Sequence, residues 1–304
     1  MNDDAVARAV AVLRRGGVVA IPTETVYGLA ADLGDAGAIA RIYAIKGRPA
    51  DHPLIVHAHD LRALDGYVAD FPPALEALAQ RFWPGPLTVV VKRGPRTPHS
   101  ITGGQDTVAV RVPGHPLALA ILVGLSRPLV APSANRFGRV SPTTAQHVRD
   151  DLGDAVDLVV DGGPARVGVE STIVDLTGSV PAVLRAGAIT PSALSAALGT
   201  AVVTRAGSAV RAPGMLAAHY APRARVVLVE EGDREPEAAR RARVGERVAM
   251  LVLPNDPPAA AQTLYATLRA LDADGYDTIL ATLPSGGEAL DAVRDRLRRA
   301  AASP

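Results

Sequence analysis

Short apolar runs alternate with segments of helical periodicity through the first two thirds of the chain. The apolar runs are rich in β-branched residues and predict buried strands, which lie at 18–22, 54–57, 87–91, 108–112, 129–131, 158–160 and 172–176. Apolar positions three and four apart, such as Ile39, Ile42 and Tyr43, predict helices, which fall at 36–45, 75–81, 117–123, 143–152 and 191–198. Ser141 and Pro142 are expected to cap and open the fourth of these helices. The alternation predicts an α/β fold.

The pattern changes near residue 205. Residues 205–224 are rich in Gly, Pro, Ala and Arg without clear periodicity, which indicates a linker. Strands and helices then alternate again, at 225–230, 236–243, 248–253, 258–271, 278–281 and 288–301. Three such βα units predict a small parallel sheet covered by helices. We therefore divide the chain into a domain at 1–205, a linker at 206–223 and a second domain at 224–304.

Composition narrows the class of protein. The 304 residues are 48% hydrophobic and 21% charged, which is typical of globular domains. A net charge of +1 argues against a protein whose main task is to coat nucleic acid. The absence of cysteine excludes disulfides and thiolate sites. No apolar stretch is long enough to span a membrane, and the acidic start is unlike a secretory signal, so we expect a soluble cytoplasmic protein.

Two cations separated by one glycine follow the first predicted helix. Only two of the 32 basic residues are lysines, and one of them, Lys46, stands beside Gly47 and Arg48. Such a pair can approach a polyphosphate with backbone and side chains together. A helix C-terminus also attracts cations, so a simple end-cap explains the pair equally well.

Polar side chains also follow the predicted strands. Thr23, Glu24 and Thr25 come after the first one, where open α/β sheets place ligands, and a helix-compatible run comes next. A helix cap explains these three residues as well. His57 closes the second strand, either as a polar pocket wall or as a satisfied core histidine.

Thr107 and Arg111 share one face of a later strand. An inward-facing arginine in an apolar strand is costly unless it meets an anion or a carboxylate. Ser133, Asn135 and Ser141 lie in turns whose hydroxyls and amides can donate to phosphate. Ordinary turn chemistry explains these residues just as well.

Taken together and in order, these motifs resemble the Sua5/YrdC family, and the resemblance covers residues 5–200. The family's motifs are Pro-Thr-Glu-Thr-Val-Tyr-Gly-Leu at 22–29, Lys-Gly-Arg-Pro at 46–49, Phe-Trp-Pro-Gly-Pro-Leu-Thr at 82–88, Pro-Ser-Ala-Asn at 132–135 and Glu-Ser-Thr at 170–172. Ala-Pro-Gly-Met at 212–215 and His-Tyr-Ala-Pro at 219–222 are similar to the linker of the long Sua5 branch. The resemblance implies a twisted, concave YrdC-like α/β domain followed by a small Rossmann-like Sua5 domain.

Enzymes of this family are nucleotidyltransferases that condense L-threonine, bicarbonate and ATP into threonylcarbamoyl-AMP and pyrophosphate. The resemblance implies the same substrates here, with Mg²⁺ carried by the phosphates and no metal held by the protein. A separate tRNA threonylcarbamoyl transferase would receive the product for position 37 of tRNA. Direct binding of tRNA by this chain is expected to be weak or absent.

The resemblance also implies two groups of site residues. Those expected to bind L-threonine are Thr25, His57, Arg111, Ala131 and Ser171. Those expected to contact ATP are Arg48, His52, Thr107, Ser133, Asn135, Ser141, Arg185 and Tyr220. Lys46 is expected to join Arg48 at the phosphates as the catalytic pair. His52 stands where the family commonly has asparagine, which predicts a pH dependence near neutrality.

The linker carries Met215, His219 and Tyr220, more functional side chains than a passive tether needs. Prolines restrict it at both ends, so we predict that it folds over the site as a lid, with Tyr220 on ATP. The alternative is a tether whose Tyr220 packs on the domain surface.

Two other functions remain open at this point. The fold can also serve as an RNA-binding or ribosome-maturation module, although aromatic residues make up only 3% of the chain. A carbamoyl-transfer domain of the hydrogenase-maturation type has a similar fold. Those proteins carry zinc-finger segments, which a chain without cysteine cannot supply.

Overall fold

The computed structural model describes residues 2–204, 210–216 and 218–302. The linker prediction at 206–223 therefore lies partly outside the described residues. No described helix is both long and apolar enough to cross a membrane.

The first part of the chain forms a mixed sheet of ten strands. These are β1 Val19–Ile21, β2 Gly28–Asp32, β3 Ile55–His57, β4 Leu87–Lys92, β5 Thr107–Arg111, β6 Leu129–Val130, β7 Leu158–Val159, β8 Thr172–Asp175, β9 Ala182–Arg185 and β10 Val203–Thr204. Their order across the sheet is β10-β9-β8-β4-β5-β3-β6-β2-β1-β7. Six helices accompany them: α1 Asn2–Arg14, α2 Ala36–Lys46, α3 Pro73–Phe82, α4 Pro116–Leu125, α5 Ala145–Leu152 and α6 Pro191–Leu198.

The register of the central strands brings the predicted site residues together. β3 runs parallel to β5 and pairs His57 with Arg111, so these two polar side chains become neighbours at one end of the sheet. β3 is antiparallel to β6, which ends just before Ala131. β4 runs parallel to β8, where Leu87 pairs with Thr172 directly after Ser171. Segments distant in sequence therefore meet at the middle of the sheet.

Two local predictions are wrong. The residues after Thr25 do not form a helix; they lead into β2, which pairs antiparallel with β1. The Thr-Glu-Thr motif is therefore the connection of a strand pair. Helix α5 is capped by Thr144, whose side chain accepts a hydrogen bond from the backbone N–H of His147. Ser141 is buried and does not cap this helix, because its hydroxyl is used elsewhere.

Helix α2 ends in a way that places the cation pair. Asp35 caps its start, since the carboxylate accepts from the N–H of Ala38. Gly47 ends it in the left-handed conformation, with φ of 61°. Glycine adopts this conformation without steric cost. The chain therefore reverses between Lys46 and Arg48, and both side chains are buried.

The second part of the chain forms the predicted three βα units. They are β11 Arg225–Leu228 with α7 Arg234–Ala242, β12 Val248–Met250 with α8 Pro257–Ala273, and β13 Thr278–Ala281 with α9 Asp291–Ala301. The strands lie in the order β11-β13-β12, and both neighbouring pairs are parallel. The prediction of a small parallel sheet is confirmed.

The two parts share a hydrophobic core. Val26, Val140 and Val169 from the first part pack in one buried cluster with residues of α8 and α9 such as Leu264 and Leu297. The larger sheet has its own separate core clusters on its two faces. The shared cluster means that the smaller sheet is built onto the first part beside the segments that carry the site motifs.

Candidate active site

A small cavity lies at the centre of the large sheet, under the segment that joins the two parts. We call it the central cavity. Nine of the predicted site residues line it: Thr25, Arg48, His57, Arg111, Ala131, Ser133, Ser171, Arg185 and Tyr220. Its volume is about 50 Å³, far below the roughly 300–1,000 Å³ of a pocket that holds an organic ligand. The cavity as it stands is therefore closed around little more than a few water-sized spaces.

Arg111 is held at one side of the central cavity by a buried carboxylate. Its Nη2 lies 2.7 Å from Glu24 Oε1 and 3.0 Å from Thr25 Oγ1, and its Nε donates to the Gly85 carbonyl. Burial alone would raise the pKa of Glu24, but the charge and hydrogen bond of Arg111 lower it. Of the two partners expected for the inward-facing Arg111, an anion or a carboxylate, the structure provides a carboxylate, that of Glu24. Arg111 Nη1 has no hydrogen-bond partner among the described residues, which leaves it for an anion in the cavity.

His57 forms the wall beside Arg111. It is 1% exposed, and its Nδ1 lies 3.2 Å from the Ile55 carbonyl oxygen. Burial and the neighbouring charge of Arg111 lower the pKa of His57 to about 3. The imidazole is therefore neutral at physiological pH and serves as an uncharged polar wall.

Arg185 joins the Glu-Ser-Thr motif to the linker. Its Nε and Nη2 donate to the carbonyl and the hydroxyl of Ser171, each at 3.0 Å, and its Nη1 donates to the Pro213 carbonyl at 3.0 Å. Ser171 also hydrogen-bonds Thr88 at 2.8 Å. One buried guanidinium thus fixes two walls of the cavity at once.

The lysine and arginine of the Lys-Gly-Arg-Pro turn have different surroundings. Arg48 lines the central cavity, donates to the Pro53 carbonyl at 2.8 Å and has a buried Nε without a partner. Lys46 lies behind the wall, where its Nζ donates to the carbonyls of Ser133 at 2.5 Å and Asn135 at 2.7 Å. Burial and the charge of Arg48 lower its pKa well below the usual value. The lysine therefore holds the Pro-Ser-Ala-Asn turn in place.

Glu170 is a further site residue, which stands in the sequence as the first residue of the Glu-Ser-Thr motif. It lines the cavity, and three partners surround it: Ser141 Oγ at 2.5 Å, Tyr265 Oη at 2.9 Å and Arg296 Nε at 2.8 Å. Burial alone would raise the pKa of Glu170, but the charges of Arg296 and Arg185 lower it to about 2. Two of its partners belong to α8 and α9, so the second part of the chain reaches the cavity wall.

The linker closes the central cavity from above. Pro213, Gly214, His219 and Tyr220 all line it. Tyr220 is 2% exposed and has a φ of 63°, a strained value for a residue with a side chain. Its hydroxyl lies so close to Gly214 that a Cβ there would come within 2.0 Å of it. Gly214 and Tyr220 of the linker thus pack against each other, and Tyr220 faces the site.

The remaining predicted residues do not line the central cavity. Thr107 lies at the far end of β5, in a small depression beside Arg211. Asn135 and Ser141 are buried in the surrounding hydrogen-bond network. The His52 ring contacts the edge of Phe137 at 5.2 Å, and Phe137 in turn contacts His219 at 5.6 Å. Burial and the charge of Arg48 lower the pKa of His52 from its usual value.

The chemistry of the central cavity is that of anion binding. Three guanidinium groups and several hydroxyls face it, whereas its one carboxylate, Glu170, is paired with Arg296. Burial lowers the pKa of His219 to about 3, so this imidazole is neutral like His57. The fold and site define an α/β protein whose cationic cavity lies under a linker segment.

Comparisons with known proteins identify the family. A model of the Sua5, YciO and YrdC family, described as telomere recombination, matches residues 11–187, and a model of the threonylcarbamoyl-AMP synthase C-terminal domain matches residues 189–302. A threonylcarbamoyl-AMP synthase of Pyrococcus abyssi is 40% identical over 96% of this chain and 92% of its own length. One of Bacillus subtilis is 38% identical over 99% and 94%. The chain therefore belongs to the Sua5/YrdC family of threonylcarbamoyl-AMP synthases.

A solved structure supports the same assignment. The crystal structure of P. abyssi Sua5 complexed with L-threonine matches with a TM-score of 0.94 at 39% identity, covering 99% of this chain and 95% of that one. The predicted combination of a YrdC-like domain with a small Rossmann-like domain is confirmed.

Proposed function

We propose that this chain condenses L-threonine, bicarbonate and ATP into threonylcarbamoyl-AMP and pyrophosphate. The observation that carries the proposal is one cavity in which Arg111, with a free Nη1, faces Arg48 and Arg185. The relatives named above carry this activity in their names, and the related structure was solved with L-threonine. An RNA-binding role is not favoured, because the arginines that line the cavity are buried, where the backbone of a nucleic acid cannot reach them.

L-Threonine binds beside the Arg111 cluster. Its carboxylate accepts from Arg111 Nη1, in a charge-assisted bond that is strong in a buried setting. Thr25, His57 and Ser171 complete the polar walls of this half of the cavity, and Ala131 offers an apolar wall to the side-chain methyl. Because His57 is neutral, it does not repel the positively charged amino group of the substrate.

ATP binds in the other half, beside Arg48, Arg185, Ser133 and Tyr220. The carbamate oxygen attacks the α-phosphorus and pyrophosphate leaves, so the reaction needs positioning and charge stabilisation more than proton transfer. Lys46 acts from behind by fixing the Ser133 turn. The residues His52, Thr107, Asn135 and Ser141 belong to the ATP side as outer contacts or supports.

Mg²⁺ enters with ATP, bound to its phosphates. Glu170, the carboxylate that lines the cavity, is paired with Arg296, and Glu24 behind the wall is paired with Arg111, so neither is free to coordinate a cation. No group of three or more metal-binding side chains occurs among the described residues. Mg²⁺ is commonly held by substrate phosphates with few protein ligands, and this arrangement suits that mode.

The linker at 206–223 acts as a lid between domains at 1–205 and 224–304. The residual volume of about 50 Å³ is too small for ATP, so the linker residues that line the cavity, Pro213, Gly214, His219 and Tyr220, must move to admit it. Closure then excludes water from the labile carbamate and its adenylate. A tRNA threonylcarbamoyl transferase receives the product after the lid opens.

Pyrophosphate release tests this function. We expect release from ATP only when L-threonine and bicarbonate are both present, because the nucleophile is the carbamate that they form. Serine should be a poorer substrate by roughly 10- to 200-fold, since one methyl group contributes only about 1–3 kcal/mol. Equal release from ATP alone would contradict the assigned reaction.

A further inference from the structure

Glu170 places a negative charge in the wall of an otherwise cationic cavity. Its carboxylate lies among the residues that line the cavity, together with Arg48, Arg111 and Arg185. A carboxylate so close to a bound polyphosphate repels it unless its own charge is compensated. Arg185 of the first part supplies some of this compensation, and the direct ion pair comes from the second part of the chain.

Arg296 of α9 forms an ion pair with Glu170, and its Nη1 forms a second one with the adjacent Asp295 at 2.5 Å. Its side chain is fully buried, and its Nε donates to Glu170 Oε2 at 2.8 Å. Its Nη2 donates to the Ala186 carbonyl at 3.1 Å, directly after Arg185. Tyr265 of α8 donates to the same carboxylate oxygen at 2.9 Å. The second part of the chain thus binds both the Glu170 carboxylate and the backbone at Ala186, just after β9.

The same arginine also supports the lid tyrosine. The Arg296 guanidinium carbon lies 4.9 Å from the centre of the Tyr220 ring, in a cation–π arrangement. The Tyr265 ring lies 5.9 Å from the Tyr220 ring on the same side of the site. Arg296 therefore touches a wall residue and a lid residue at once, while it lines no part of the cavity itself.

The backbone of the loop that contains Gly168 and Glu170 also packs directly against α8. At Gly168, a Cβ would come within 2.4 Å of the Gln262 Cα. Only glycine permits this approach of loop to helix. The glycine also has a φ of 79°, which favours glycine for a second reason. The contact fixes the loop two residues before Glu170, independently of the charge pair.

We propose that Arg296 is a positioning residue of the active site, which neutralises Glu170 and supports Tyr220 so that the cavity remains cationic toward ATP. This role rests on the proposed function, because the polyphosphate is the group that benefits. It makes the C-terminal part of the chain a component of the site, through a residue that never touches substrate.

Measurements on the full-length chain test the role of Arg296. In Arg296→Met, the dissociation constant for MgATP from calorimetric titration should rise by about tenfold or more, because one uncompensated neighbouring charge shifts such equilibria by that amount. The Michaelis constant for threonine should change far less. Adding Glu170→Gln to Arg296→Met should restore most of the ATP affinity, since the repelling charge is gone. Arg298→Met, an exposed arginine on the same helix, is the matched control and should bind ATP normally.

Several outcomes overturn the proposal. Normal ATP binding by Arg296→Met would show that Glu170 needs no compensation. A doubly changed protein that binds no better than Arg296→Met would assign Arg296 a purely structural role. If Arg296→Met does not fold, the folded double variant is compared with wild type, and weak ATP binding by it contradicts the proposal. The wild-type protein is measured in the same two assays, ATP titration and pyrophosphate release. A wild type that releases no pyrophosphate contradicts the proposed function, whereas an active wild type with unchanged ATP binding in Arg296→Met contradicts only the role of Arg296.

Discussion

At the scale of single residues, each buried charge of the site has a partner that limits what it can do. Arg111 is paired with Glu24, so the pair presents little net charge and leaves one guanidinium nitrogen, Nη1, toward the cavity. The Lys46 ammonium group donates hydrogen bonds to two backbone carbonyls. Burial costs such groups hydration, and these contacts replace it. The free donors that remain determine what the cavity binds.

The first prediction at this scale concerns Arg111. Arg111→Lys keeps the positive charge opposite Glu24 but loses the second donor toward the cavity. We expect the Michaelis constant for threonine to rise by roughly 10- to 100-fold, because a hydrogen bond to a charged group contributes about 1.5–3 kcal/mol. The constant for ATP should change little, as measured by steady-state pyrophosphate release. Arg48→Ala and Lys46→Ala should show the reverse pattern. An equal loss for both substrates in Arg111→Lys would instead place Arg111 among the phosphate contacts.

At the scale of elements, short apolar runs were identified but their type was not always clear. Strand β2 is a short, mostly apolar segment that follows a polar motif. Five residues are too few for their periodicity to distinguish a strand from a helix. Strand β10 is exposed and two residues long, and thus lacks the buried pattern that predicts a strand. The three βα units of the second part were clear, because each strand is followed by a helix with an amphipathic repeat.

The site residues were predictable where they share one contiguous motif, and not where they depend on distant pairing. Glu170 and Arg296 are 126 positions apart. Helix α9 carries four arginines, and its composition alone indicates a solvated basic surface. Only the packing of α9 on the first part shows that Arg296 faces inward. The role of the second part in the site therefore could not be predicted from the sequence.

The linker leads to the prediction at this scale. Trypsin can cleave after Arg211 and Arg223, whose side chains are 52% and 81% exposed. We expect ATP and threonine together to slow cleavage at these two positions, because the closed lid holds the segment between them against the site. Cleavage after the exposed Arg243, in the turn that follows α7, is the internal control and should not change. Mass spectrometry of the fragments over time gives both rates. Identical cleavage of the linker with and without substrates would show a passive tether.

At the scale of the whole molecule, the two parts are joined by more than the linker. The shared core contains Val26, Val140 and Val169, which would be exposed if the second part were absent. Arg269 of α8 adds a second, partly buried link, since it pairs with Asp151 at 2.5 Å and also donates to the backbone of the first part. Val169 of the shared core is the residue directly before Glu170. The active site and the domain contact thus use the same segment of the chain.

The last prediction separates the contribution of the lid from that of the second domain. A fragment of residues 1–223 keeps Tyr220 and the whole linker but lacks Tyr265 and Arg296. We expect it to lose threonylcarbamoyl-AMP synthesis, because Glu170 then has no arginine partner from α9 and the Gly168 loop loses its seat on α8. Circular dichroism establishes that the fragment is folded, and pyrophosphate release measures its activity against the full chain. A folded 1–223 fragment with full activity would show that the lid alone suffices and that the second domain lies outside the site.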